Sequence, residues 1–105
     1  MADLLVDVVD GVATLTMNRP DARNALSLEM RSGMHDFLDG HEFDDTVRVV
    51  VIKGAGDHFM AGGDVKSFAQ LAKELPPEEM RTHFLHRIHN LHGFISAMRR
   101  FPKPI

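Results

Sequence analysis

An α/β fold is what this chain of 105 residues predicts, and three observations carry that reading. Asp10-Gly11 separates two runs rich in β-branched residues, Val47 to Ile52 reads Val-Arg-Val-Val-Val-Ile, and two later stretches place apolar residues at helical spacing. The first is the local signature of a β-hairpin with a type I′ turn. The second suits a strand covered on both faces, as in a parallel sheet. The third marks amphipathic helices.

In order, Leu4 to Val9 and Val12 to Met17 form the two arms of the hairpin. Asn18 to Asn24 reads as a loop, because Pro20 cannot continue a ladder. Ser27 caps a helix through Asp39 whose stripe is Met30, Met34, Phe37 and Leu38, with Gly40 closing it as C′. The strand Val47 to Ile52 follows, so hairpin, helix and strand make a crossover unit. Gly54-Ala55-Gly56-Asp57 is a turn, Phe59-Met60 an apolar anchor, and Ala61-Gly62-Gly63-Asp64 leads into a short helix from Val65 to Lys73. That helix is expected to turn Val65, Phe68, Ala69 and Ala72 to one face. Pro76-Pro77 breaks the pattern before a long helix from Glu78 to Arg100, striped by Met80, Phe84, Ile88, Leu91, Ile95 and Met98. Its acidic start and basic end complement the helix dipole. Phe101-Pro102-Lys103-Pro104-Ile105 is a connector, with Lys103 biased to extended backbone by the proline after it.

Composition narrows the function. Twelve basic and fifteen acidic side chains give a net charge of −3, which offers no electrostatic footprint for nucleic acid or an acidic membrane surface. Absence of cysteine removes disulfides, thiolate metal sites and cysteine nucleophiles, and fits a reducing cytoplasm. No run approaches the roughly 18 apolar residues of a membrane span, and the acid at Asp3 is unlike a signal or transit peptide. Expectation is therefore a soluble cytoplasmic protein. At this size a lone core is marginal, which makes association a natural expectation.

Ala61-Gly62-Gly63-Asp64 is the most informative segment. Unpaired N–H groups collect at a helix start, and two glycines let a ligand approach the backbone, which suits an anion or a carbonyl oxygen gaining charge. The same residues also read as a Gly-rich turn with Asp64 a plain N-cap. His83, His86, His89 and His92 recur every third residue, but each lags the last by about 60°, so four cannot converge on one ion and a solvated face is the simpler reading. No metal site is expected. Gly54-Ala55-Gly56 lacks the third glycine of a dinucleotide fingerprint, and neither a P-loop nor a serine elbow is present. Spacing alone nominates no acid–base pair.

The ordered strings Asn18-Arg19-Pro20, Asn24-Ala25-Leu26, Asp45 to Val51, Gly54-Ala55-Gly56, Phe59-Met60-Ala61-Gly62-Gly63-Asp64 and Phe101-Pro102-Lys103-Pro104 together resemble the crotonase, or enoyl-CoA hydratase/isomerase, family. The resemblance covers residues 1–105 and implies the N-terminal portion of a crotonase-like ββα spiral, cut before its catalytic second half. It implies an acyl-CoA thioester as substrate, coenzyme A entering with it and no separate cofactor. It gives the Gly63 N–H as one of two oxyanion donors, and Ala22, Arg23, Ala61, Gly62, Gly63, Asp64 and Lys66 as contacts to CoA. Arg23 and Lys66 have a second, less favoured reading as solvated surface charges. The reaction implied is hydration of a 2-enoyl-CoA, or a related isomerisation, through a stabilised enolate in a trimer or dimer of trimers. The family's second oxyanion glycine and its glutamates would lie past Ile105, so the alternative is a non-catalytic CoA-binding or interaction fragment. Met60 stands where relatives commonly carry a small residue or cysteine.

Overall fold

The structure is a computed structural model and describes residues 2–105. β1 (Leu4–Val9) and β2 (Val12–Met17) pair antiparallel, α1 (Leu28–Gly40) crosses over, and β3 (Val49–Gly54) lies parallel to β2. The sheet order is β1-β2-β3, followed in the chain by α2 (Val65–Glu74) and α3 (Pro77–Arg100). The hairpin turns as its sequence dictates: Asp10 and Gly11 have φ of 50° and 84°, the paired positive values of a type I′ turn.

β2 alternates as a half-buried strand must. Ala13, Leu15 and Met17 are buried, while Thr14 and Thr16 face the other way. Against them pack Met30, Met34, Phe37 and Leu38 of α1, the stripe the sequence predicts, joined by Val50, Phe94 and Phe101. Each such fully buried side chain contributes ~1.5–3 kcal/mol. Ser27 caps α1 by accepting the Met30 N–H at 3.2 Å and donates its hydroxyl to Asp3 at 2.6 Å. At the far end Lys103 Nζ donates to the carbonyls of His41 and Asp44, at 2.8 and 2.5 Å, and binds the connector to the helix it passes.

Several elements depart from their predicted form. α1 ends on Gly40 itself, and His41 (φ −119°) closes it by donating to the Phe37 and Leu38 carbonyls, so no left-handed glycine cap forms. β3 begins at Val49, two residues late, because Asp44 holds Thr46 in a side-chain turn, and the ladder starts only where Gly11 O receives the Arg48 and Val49 N–H groups. β3 is not covered on both faces. Val50 is buried but Val51 is 42% exposed, because α1 and α3 pack on a single face of the sheet among the described residues.

The two later helices differ more. α3 starts at Pro77, where a proline N–H is not missed, one residue ahead of the expected start. It is about 36 Å long at 1.5 Å per residue, which draws the molecule out to 49 × 28 × 18 Å. Only its part from Leu91 onward meets the core, through Leu91, Phe94, Ala97 and Met98. Phe84 and Ile95 of the predicted stripe are therefore exposed, and the buried face is turned toward Phe94 and Ala97. α2 buries no residue fully. Val65 is 72% exposed, Ala69 and Ala72 face solvent, and the helix is held through Phe68, whose ring lies 5.2 Å from that of Phe84.

Candidate functional site

Two loops, one after β2 and one after β3, meet beside the sheet and are stitched to each other through backbone groups, with an isolated parallel bridge between Leu26 and Gly63. The Ala61 N–H donates to Arg23 O at 3.0 Å, and the Leu26 N–H donates to Gly62 O at 2.8 Å. Arg19 adds a side-chain tie, with Nη1 donating to Ala25 O at 2.9 Å and to Asp64 Oδ2 at 3.2 Å. A single turn of 3-10 helix at Pro20–Ala22 carries the first loop.

Asn24 fixes that loop. It is fully buried at φ 57°, next to Arg23 at φ 54°, so two successive residues without glycine's freedom stand in the left-handed region. Its carbonyl oxygen accepts the Arg19 N–H at 2.8 Å, and its amide donates to Ala55 O at 2.9 Å and His58 O at 2.7 Å. Gly54 lies directly beneath. A Cβ there would collide with the backbone oxygens of His58 and Phe59 and meet the Asn24 amide at 2.7 Å. Asn24 thus sets the distance between the loop after β2 and the loop after β3. No functional reading of the sequence singled it out. The available signal was an asparagine, a residue tolerant of positive φ, in a loop that must bend sharply.

The loops enclose a cleft of about 360 Å³. Of the residues nominated from the sequence, Ala22, Arg23, Ala61, Gly63, Asp64 and Lys66 line it together. Gly62 does not. Its role is conformational, since φ of 119° is open to glycine alone and its carbonyl is used by Leu26. Asp64 stands at the N-cap position of α2 but does not cap it through its side chain. Its side chain makes no hydrogen bond to the helix and is instead held by Arg19, which corrects the plain N-cap reading. The first N–H groups of the helix are accordingly left without a side-chain acceptor. Arg23 and Lys66 are exposed on the rim and stand in no ion pair among the described residues.

Gly63 is the hinge of the site. Its N–H donates to no backbone carbonyl among the described residues, and a Cβ would press on the Phe68 ring at 3.2 Å. It also belongs to a second, smaller cavity of about 90 Å³, walled by Leu26, Phe68, Ile88 and Leu91. Two arginines, Arg31 and Arg87, complete that wall. Burial, then the like charge of Arg87, pushes the Arg31 guanidinium below its ordinary range. Past Leu26 a third hollow, about 160 Å³ and wholly apolar, is lined by Met17, Met34, Phe59, Met60, Phe94 and Met98. Met60 thus serves as apolar wall.

The remaining nominated groups lie elsewhere. His83, His86, His89 and His92 are all exposed along α3, and among the described residues no three His, Asp or Glu side chains gather as a metal ion would need. Asp44 lies in the turn before β3, its carboxyl held below the usual range first by the Thr46 hydroxyl and then by the Thr46 N–H. No helix among the described residues is long and apolar enough to cross a membrane.

Comparison with known proteins gives this geometry its relatives. Residues 12–105 match the family model described as enoyl-CoA hydratase/isomerase. The chain is 33% identical over 104 residues to the trans-2-decenoyl-[acyl-carrier-protein] isomerase of Streptococcus mutans, covering 98% of this chain and 38% of that protein. It is 30% identical over 103 residues to the peroxisomal enoyl-CoA delta isomerase 3 of Mus musculus, covering 98% and 31%. Among solved structures, a carnitinyl-CoA dehydratase from Mycobacterium thermoresistibile superposes with a TM-score of 0.81 at 36% identity, over 96% of this chain and 28% of that one. The chain thus spans between about a quarter and two-fifths of the length of these relatives.

Proposed function

The chain belongs to the enoyl-CoA hydratase/isomerase family, and from that premise we propose that it supplies the thioester-binding part of an enzyme acting on acyl-CoA. The observation that carries this reading is the Gly63 N–H, free of any backbone acceptor among the described residues, in a glycine that lines both a basic-rimmed cleft and a second cavity walled by apolar side chains and two arginines. A thioester oxygen placed on that N–H would send its CoA arm past Arg23 and Lys66 and its acyl group toward Leu26 and Leu91. Charge developing on the oxygen as the thioester becomes an enolate would be met by a fixed dipole at the start of α2. One such donor lowers a barrier by ~3–4 kcal/mol.

Hydration of a 2-enoyl-CoA is the reaction proposed, and it needs a proton donor and acceptor as well as the oxyanion contact. Neither cavity beside Gly63 is lined by Glu or His; of the two carboxylates on the cleft, Asp21 is exposed to solvent and Asp64 is committed to Arg19. Acid–base chemistry is therefore not assigned to these residues. Coenzyme A enters as part of the substrate, and no resident cofactor is invoked. Assembly as a trimer or dimer of trimers belongs to the same proposal and is read by sedimentation.

Calorimetric titration of the 105-residue chain with CoA and with crotonyl-CoA tests the reading. Binding of both, weakened in Arg23→Met and Lys66→Met, supports it. Crotonyl-CoA affinity that falls in Gly63→Pro, which removes the N–H, supports the oxyanion contact. Absence of binding by either compound overturns the proposal. Binding of CoA with no preference for the thioester favours the second reading, a CoA-binding module without turnover.

A further inference from the structure

Charge is segregated along this chain. All fifteen Asp and Glu side chains lie at or before Glu79, while residues 80–105 carry five Lys or Arg and four His with no acid among them. From Met80 onward, α3 has nothing of its own to neutralise its cations. It faces α1 across a groove of about 410 Å³ lined by Leu28, Arg31, Ser32, His35, His89 and Asn90. Each polar side chain in that set can donate a hydrogen bond, and none is an acid. The carboxylates of α1 stay out of the lining: Glu29 accepts the Asp3 N–H at 2.8 Å, Asp36 is exposed, and Asp39 is shared by His35 Nε2 and Arg100 Nη2, at 3.3 and 3.2 Å.

Arg31 is the cation this groove reaches. Its Nη1 donates to the Arg87 backbone carbonyl at 3.2 Å, and it stands in no ion pair among the described residues. Its other nitrogens have no hydrogen-bond partner there, yet they are not sealed off; the enclosed, unpartnered nitrogen of the two arginines is Arg87 Nη1. A half-buried cation held only by a peptide carbonyl lacks the negative charge that would offset its lost hydration. Gly93 keeps the approach open, since a Cβ there would already lie 3.4 Å from His35 Cε1 and any longer side chain would fill the space between the helices.

We infer that the groove between α1 and α3 is an anion site, taking a tetrahedral oxyanion of the phosphate class through Arg31, with Ser32, His89 and Asn90 as further donors. Arginine offers a planar fork to two oxygens. A tetrahedral group keeps other oxygens out of that plane for donors on the second helix, whereas a carboxylate has none left. The groove shares no lining residue with the cleft that holds Arg23 and Lys66, so the inference stands independently of the acyl-CoA reading. Leu28 and Arg31 also wall the cavity beside Gly63, so an anion in the groove would steady one side of that cavity without entering it.

Titration of the full chain with inorganic phosphate at constant ionic strength, followed by two-dimensional NMR, tests this. Saturable shifts are expected at the Arg31 Nε–H and at the amides of Ser32, His89 and Asn90, with acetate binding about tenfold more weakly. Arg31→Met, and Asn90→Asp, which sets a carboxylate in the groove, should each weaken phosphate by about tenfold, and Arg31→Lys by less. Thermal melts verify folding, and the exposed Asn90 serves if Arg31→Met does not fold. Methyl phosphate separates the sources: binding at least as tight as inorganic phosphate assigns the site to a phosphate monoester, weaker binding to free phosphate. Shifts that never saturate, acetate bound as well as phosphate, or affinity unchanged in both Arg31→Met and Asn90→Asp overturns the inference. Shifts confined to Arg23 and Lys66 overturn it too, and place the anion in the cleft.

Discussion

Replacing Asn24 by alanine removes three hydrogen bonds at once, those to the Arg19 N–H and to the Ala55 and His58 carbonyls. At ~0.5–1.5 kcal/mol for each bond the loss is about 3 kcal/mol, with more if the orphaned groups stay dry. Alanine must also hold φ near 57°, which asparagine tolerates and alanine does not. Asn24→Gly removes the same bonds but accepts that backbone. Glycine's larger entropy in the unfolded chain offsets part of the benefit, so the glycine variant should be more stable than the alanine one by ~0.5–1 kcal/mol. Asn24→Asp should be the worst of the three at neutral pH, because a carboxylate would face two carbonyl oxygens in a buried site. Urea unfolding followed by far-UV circular dichroism measures all three. A loss below about 1 kcal/mol in Asn24→Ala, or aspartate tolerated as well as glycine, would show that the loops are held by something other than this side chain.

Arg19→Met should release Asp64 and loosen the start of α2, seen as faster amide exchange at Val65 to Phe68, with a stability cost of ~1–2 kcal/mol because the pair is half-buried. Lys103→Met removes two charged donations to the end of α1 and should cost ~2–3 kcal/mol in the same urea assay. Asp44 gives a pH signature. Its folded carboxyl titrates below the unfolded one, so its contribution is present above the unfolded pKa, ~3.9, and is lost as pH falls through the folded value. Asp44→Asn should therefore flatten the acid limb of a stability profile below about pH 4 and leave the neutral region unaffected by titration.

The elements most legible in the sequence were those whose signals are local. Asp10-Gly11 fixes its turn whatever surrounds it, Ser27 caps its own helix, and the stripe of α1 meets β2 as its spacing requires. Long-range facts were not legible. Nothing in the run Val47 to Ile52 says that one of its faces lacks a covering element here, and nothing in the spacing of Phe84 or Ile95 says that α3 outruns its core. The site was legible in part. The glycines at 62 and 63 announced a close approach, yet only the structure separates their roles, one for its φ and one for its N–H. Arg87 was hidden because a lone arginine within an amphipathic helix looks like any solvent-facing charge until its Nη1 is seen to be enclosed.

The bond from the Val50 N–H to Pro104 O, at 2.9 Å, has a consequence beyond the connector it belongs to. It lies on the edge of β3 that β2 does not use, and it is made after the whole of α3 has intervened. Side chains alternate along a strand, so a slip of one residue exchanges the buried and exposed sets wholesale. A single fixed point suffices to prevent that. Lys103 anchors the segment to the end of α1, Pro104 has no N–H to offer a rival acceptor, and together they commit any strand laid along this edge to one register before its own side chains have been consulted.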